Sequence, residues 1–317
     1  MPVPTRPPVR KALSIAVQYS SLKEYDLDLE GTHNDPRILS DLLVDVYKYN
    51  REDITILIDD EDKKHSWPTR KNIENAMKSL LVGAQPGDHF VFHFSGHGAL
   101  VPNFDGTEKS GYDEVIWPVD IEYKGDESSI DNYIKDDEIH DLLVEHVPVG
   151  AHFMMVFDCC HSGTMADLPN TSEDRPPTPS SATSTGSIPS AASVKNTSTE
   201  DGLQHKTTKE MFTPSVPLAQ VPEANKPAVA DVALAKALRE QRLTFIQMLT
   251  DTYLLIGHNP LETHHELLQA VTREIAKITA AINKHSRPAD AAEFEVPRPE
   301  LETQESIEDV YEERVDL

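Results

Sequence analysis

Four short apolar runs, separated by stretches with helical periodicity, constrain this chain more than any other feature of its sequence. They are ALSIAVQY (12–19), DITILID (53–59), HFVFHFSG (89–96) and AHFMMVFD (151–158). Each has the length of a strand buried on both faces. Between them, Asn34 and Asp35 can cap a helix that carries Ile38, Leu42, Leu43 and Val46 on one side. Pro68 and Thr69 open a second helix bearing Ile73, Met77, Leu80 and Leu81. EVIWPVD (114–120) reads as a shorter strand and IKDDEIHDLLVEHV (134–147) as a further helix. Strand–helix–strand alternation without internal repeats predicts an α/β fold, a mostly parallel sheet with helices on both faces.

In open α/β sheets, sites form beyond the carboxyl ends of strands. Two of the runs end in polar, glycine-containing turns. One leads into Ser95-Gly96-His97-Gly98, the other into Asp158-Cys159-Cys160-His161-Ser162-Gly163. Each alone is a glycine turn between elements. If the strands are parallel neighbours, the two together bring an imidazole and a thiol to one edge, the arrangement of an activated thiol nucleophile. The cysteines are the only two in 317 residues. A bridge between adjacent cysteines would need a strained eight-membered ring. A zinc module would need more Cys and His at paired spacing. Period-two alternation places Cys159 with the packing residues and turns Cys160 toward Asp158, although a turn resets that period.

Composition narrows the partners. The net charge is −25 and the pI near 4.8, which argues against nucleic acid and for basic peptides or divalent cations. The apolar run after the basic lead is too short for a signal-peptide core, and no stretch approaches the roughly 18 apolar residues of a membrane span. With free thiols, these features lead to the expectation of a soluble protein in the cytoplasm or nucleus, without membrane or nucleic-acid partners. The chain divides by composition into a Pro/Arg-rich lead (1–10), an α/β region (11–165), a Ser/Thr/Pro-rich linker (166–230), a helical region (231–285) and an acidic tail (286–317). From Thr171 to Thr199, 18 of 29 residues are Ser, Thr or Pro, too few apolar groups to offset the entropy of ordering.

The motifs His93-Phe94-Ser95-Gly96-His97-Gly98 and Asp158-Cys159-Cys160-His161-Ser162-Gly163, with Asp113-Glu114-Val115-Ile116-Trp117-Pro118-Val119-Asp120 and Asp136-Asp137-Glu138-Ile139 between them, resemble those of the type I metacaspases. These are caspase-like cysteine peptidases of fungi, protists and plants, and the likeness spans roughly residues 10–170. It implies a caspase-like three-layer sandwich and an endopeptidase that cuts after Arg or Lys. By the same resemblance His97 is the base and Cys160 the nucleophile, with Cys159 a bystander. Asp35, Ser95 and Asp158 correspond to the pocket for the side chain before the scissile bond. An acidic pocket selects a basic side chain. Asp136 and Asp137, with Asp113, fall in the acidic region that binds an activating calcium ion. Activation in relatives can involve cleavage in the linker, where Lys195, Lys206 and Lys209 are candidates here. A monomer with a role in programmed cell death or proteostasis is the corresponding expectation.

The chain also departs from the pattern. Thr32 stands where relatives usually carry a pocket cysteine, and an insertion around Gly125–Tyr133 lengthens the acidic loop. The family's small-subunit signature finds its nearest candidate in TYLLIGHNP (252–260), without the cysteine or acid. Two apolar stripes, 231–249 and 261–283, read as core-facing helices around it. His264-His265-Glu266 is a helix start rather than a zinc motif, because Gln269 stands at the second histidine position. This divergence keeps a second reading open, a catalytically weak or inactive caspase-like scaffold.

Overall fold

A computed structural model of the chain describes residues 6–62, 64–104, 106, 111–125, 130–159, 165, 170–171, 263–285, 302–303, 313 and 315. In chain order the elements are β1 (Arg10–Ala16), α1 (Asp35–Asp45), β2 (Ile54–Ile58), α2 (Arg70–Leu80), β3 (His89–Ser95), β4 (Gly98–Pro102), β5 (Tyr112–Ile116), β6 (Ile134–Lys135), α3 (Asp136–Leu142), β7 (His152–Asp158), β8 (Asn170–Thr171), α4 (His264–His285) and β9 (Glu302–Thr303). Asn170 and Thr171, inside the predicted linker, form β8; the rest of that linker, the 231–249 helix and the 252–260 strand lie outside the described residues.

The four apolar runs form one parallel sheet in the order β2-β1-β3-β7. Every residue of β3 is buried, as a strand covered on both faces requires. Successive side chains alternate between two cores. Leu13, Ile15, Leu57, Phe90, Phe92 and Phe94 pack with Ile73, Met77 and Leu80 of α2 and Ile139 of α3. Ala12, Val91 and Val156 pack on the opposite face with Leu39, Leu42 and Leu43 of α1 and Val271 and Ile275 of α4. Helices therefore cover both faces. Each fully buried phenylalanine of β3 contributes about 1.5–3 kcal/mol of hydrophobic stabilisation.

Three elements differ from the sequence expectation. EVIWPVD does not join the parallel sheet. β5 starts earlier, at Tyr112, and pairs antiparallel with β4 and β6 in a separate three-stranded sheet. Pro118 ends the run, in a turn where Ile121 N–H donates to the Pro118 carbonyl at 3.1 Å. β4 begins at Gly98, which sequence reasoning treats as part of a turn. The predicted helix 134–147 is shorter. Ile134 is fully buried and pairs with Ile116, so its β pairing overrides helix propensity. α3 covers only Asp136–Leu142, followed by a 3-10 turn at Val144–His146.

The described residues of the acidic tail lie against the domain. β9 pairs antiparallel with β8, the Glu313 carbonyl accepts from His264 N–H at 3.0 Å, and Val315 is buried against the core of α1 and α4. Among the described residues no helix is long and apolar enough to cross a membrane.

The lower edge of the sheet carries a strong electrostatic anchor. The Asp88 carboxylate, at the entry to β3, accepts from both terminal nitrogens of Arg6 at 2.7 and 2.6 Å, from Val9 N–H at 2.9 Å and from Gln85 N–H at 2.8 Å. Burial opposes its charge, but the hydrogen bonds from Arg6, Val9 and Gln85 and the Arg6 charge outweigh it. They lower the pKa from 3.8 to about 2. A depressed folded-state pKa stabilises the fold above the unfolded value and is lost as pH falls through the folded one. Asp88→Asn is expected to destabilise the protein by about 1–3 kcal/mol near neutral pH. Urea unfolding should show its gap from the natural sequence closing between pH 4 and pH 2. A gap independent of pH in that window would remove the assignment.

Candidate active site

The register of β3 and β7 builds the site. Ser95 pairs with Asp158, and Gly96 N–H donates to the Asp158 carbonyl at 3.3 Å, so the ends of β3 and β7 lie side by side. Alternation along β7 persists through its end. Phe153, Met155, Phe157 and Cys159 pack against the phenylalanine-rich core, while Met154 and Val156 pack on the α1 side. Cys159 is therefore a packing residue. Cys160, with the residues that follow it through Thr164, lies outside the described residues.

Asp35 and Ser95, far apart in sequence, meet at the carboxyl edge. The Ser95 hydroxyl donates to Asp35 Oδ2 at 2.6 Å, and both residues are fully buried. Asp35 occupies the first turn of α1, where the helix dipole favours a carboxylate. Thr32 is also buried, its hydroxyl donating to the Leu29 carbonyl at 3.1 Å.

His97 is buried, and its Nε2 contacts the Leu27 carbonyl at 2.7 Å. A carbonyl only accepts, so Nε2 carries the proton in the neutral ring and Nδ1 is the basic nitrogen. The imidazole is tilted against Tyr19, with centroids 4.7 Å apart, and against Trp117, at 5.2 Å. Its backbone N–H donates to the Tyr19 hydroxyl at 3.0 Å, and its carbonyl accepts from Trp117 N–H at 3.0 Å. Gly96 is needed on steric grounds. A Cβ there would lie 2.7 Å from both the Phe94 ring and the Tyr19 hydroxyl. Sequence reasoning missed Tyr19 and the Leu27 carbonyl. The one available signal was the position of Tyr19 at the end of the first apolar run.

The three acids expected to bind a cation come together. Ligand oxygens of Asp113, Asp136 and Asp137 lie within 4.8 Å of one another, with Asp113 and Asp136 buried. Asp136 opens α3 yet is buried, rather than solvated. Lys135 Nζ and Asn103 Nδ2 donate to Asp113. Asp136 accepts from Glu114 N–H at 2.7 Å and Asp137 N–H at 2.9 Å. An all-carboxylate set of hard oxygens fits a divalent cation. A second group, His140, Asp141 and Glu145, is more exposed. His265 contacts Gln269 at 2.7 Å within α4.

These features define an α/β domain with a buried, oriented histidine just past β3, beside the strand β7 that ends at Asp158. A model of the metacaspase peptidase C14 domain matches residues 10–169. Metacaspase-1 of Pyricularia oryzae is 44% identical over 160 residues, 50% of this chain and 38% of that protein. Metacaspase-1A of Neurospora crassa is 44% identical over 160 residues, 50% of this chain and 33% of its own length. Metacaspase-1 of Schizosaccharomyces pombe is 41% identical over 162 residues, 51% of this chain and 36% of its own length. The matched part thus spans only about a third of the length of these relatives. The chain belongs to the metacaspase family of C14 peptidases.

Proposed function

We propose that this chain is a cysteine endopeptidase that hydrolyses peptide bonds after Arg or Lys and is stimulated by calcium. The observation that carries the reading is the buried His97, with Nε2 engaged by the Leu27 carbonyl, and the β3–β7 register that pairs Ser95 with Asp158, each two residues ahead of His97 and Cys160 in the sequence. In the proposed cycle the Cys160 thiol gives its proton to His97 Nδ1, and the thiolate attacks the scissile carbonyl carbon. The tetrahedral oxyanion collapses, the C–N bond breaks, and imidazolium protonates the leaving amine. Water, deprotonated by His97, then attacks the thioester and releases the acid and the thiol. Backbone N–H groups of the Cys160–Gly163 turn are the candidates for oxyanion stabilisation. The buried Asp35 carboxylate, with Ser95 and Asp158, supplies the charge that selects a basic side chain.

Asp113, Asp136 and Asp137 are the proposed calcium ligands. When bound, the ion supplies charge compensation in the β5–α3 region and takes no part in bond breaking. β5 pairs with β4, the strand that leaves His97, so order in this sheet bears on the histidine. A cytoplasmic monomer acting on basic protein substrates, in programmed cell death or proteostasis, completes the proposal. The second reading, a scaffold without turnover, draws on the family match ending at residue 169, which leaves the rest of the chain outside it.

The test uses purified full chain and fluorogenic peptides ending in Arg, Lys or Asp. Arg and Lys peptides are expected to be cleaved at least about 10-fold faster with calcium than with a chelator, and the Asp peptide not at all. Preference for Asp, or no hydrolysis under any calcium level, would overturn the reading.

A further inference from the structure

The geometry points to Tyr19 as a positioning residue for His97, a role that rests on the peptidase reading above. Tyr19 is fully buried, yet its backbone sits in the left-handed region at φ 57° and ψ 43°. For a residue with a bulky side chain this conformation is strained and persists only where its surroundings impose it. The imposing group is Asp59, just past β2. Its Oδ1 accepts from Gln18 N–H at 2.8 Å and its Oδ2 from Tyr19 N–H at 3.0 Å. Asp59 thereby turns the chain leaving β1 so that the Tyr19 ring comes over the imidazole.

The hydroxyl then joins two segments of the site. It accepts from His97 N–H at 3.0 Å and donates to the Trp117 carbonyl at 2.6 Å. Gly96 is bare where a Cβ would collide with this hydroxyl. The same loop supplies the other hold on the histidine. Leu29 N–H donates to the Gln18 carbonyl at 2.8 Å, closing the segment that presents the Leu27 carbonyl to Nε2. One loop therefore grips His97 by its backbone and by its ring. The tyrosine hydroxyl fixes where the imidazole stands, and the Leu27 carbonyl fixes its tautomer.

The test is Tyr19→Phe in the full chain, which keeps the ring and removes only the hydroxyl, in a Cys159→Ala background so that Cys160 is the sole thiol. The expected result is a kcat lower by about 10- to 100-fold, with KM within about two-fold, because a displaced base impairs chemistry rather than binding. The pH midpoint for alkylation of Cys160 by iodoacetamide should rise toward that of an unperturbed thiol as imidazolium support weakens. Asp59→Asn, which loosens the turn without touching His97, should move both readouts the same way by less. Tyr19→Phe with unchanged kcat and unchanged alkylation midpoint overturns the inference. If the parent chain shows no Cys160-dependent hydrolysis, the peptidase reading fails, and the alkylation midpoints still decide the role of Tyr19.

Discussion

Replacing Cys160 by alanine is expected to lower peptide hydrolysis by about 10³-fold or more, while Cys159→Ala leaves it within about two-fold. The thiols are adjacent in sequence but belong to different surroundings. Cys159 continues the inward alternation of β7 and packs with Phe157 and Met155 against the phenylalanine-rich core. There a thiol acts as a small apolar filler, and its removal costs about 1 kcal/mol in folding stability and little in chemistry. Cys160 is the next residue, past the end of β7 at Asp158, and is the proposed nucleophile. Rates for both variants, read beside their unfolding midpoints, separate the two roles. Equal loss of activity in both, at equal stability, contradicts the assignment.

The second large effect is expected at the pocket. Asp35→Asn should reduce kcat/KM for Arg- and Lys-ended peptides by about 100-fold, the scale for removing one partner of a buried charged pair. Asparagine can still accept the Ser95 hydroxyl, so the buried contact between α1 and β3 survives while the charge is lost. Iodoacetamide, which is uncharged, should alkylate Cys160 at an unchanged rate in this variant. That combination localises the loss to recognition of the basic side chain. Undiminished cleavage after Arg would remove Asp35 from the pocket.

The parallel sheet was legible because each of its strands is a continuous apolar run, and because α1 and α2 show helical spacing between polar starts. Two residue types at two strand ends were enough to nominate His97 and the cysteine turn. β4 and β6 were not legible. Gly98–Pro102 contains a glycine and a proline, and Ile134–Lys135 merges with the helix that follows. Each is a strand only because β5 lies beside it, and that pairing is set by tertiary context rather than propensity. The holds on His97 were hidden for a related reason. The Leu27 contribution is a backbone carbonyl, which no side-chain pattern records. Tyr19 acts through a left-handed turn imposed by Asp59, some 40 residues away in sequence. The acidic cluster falls between these cases. Asp136 and Asp137 stand out as neighbours in the sequence. That Asp113 joins them depends on the antiparallel pairing that brings β5 beside β6.

The most direct test of the central claim is covalent labelling with an Arg-ended peptide chloromethyl ketone in the presence of calcium, followed by tandem mass spectrometry of the peptide spanning Phe157–Gly163. A single adduct on Cys160, strongly reduced in His97→Ala and with a chelator, is the predicted result. An adduct on Cys159, or no adduct on Cys160 at any calcium concentration, would contradict a Cys160–His97 peptidase and favour the scaffold.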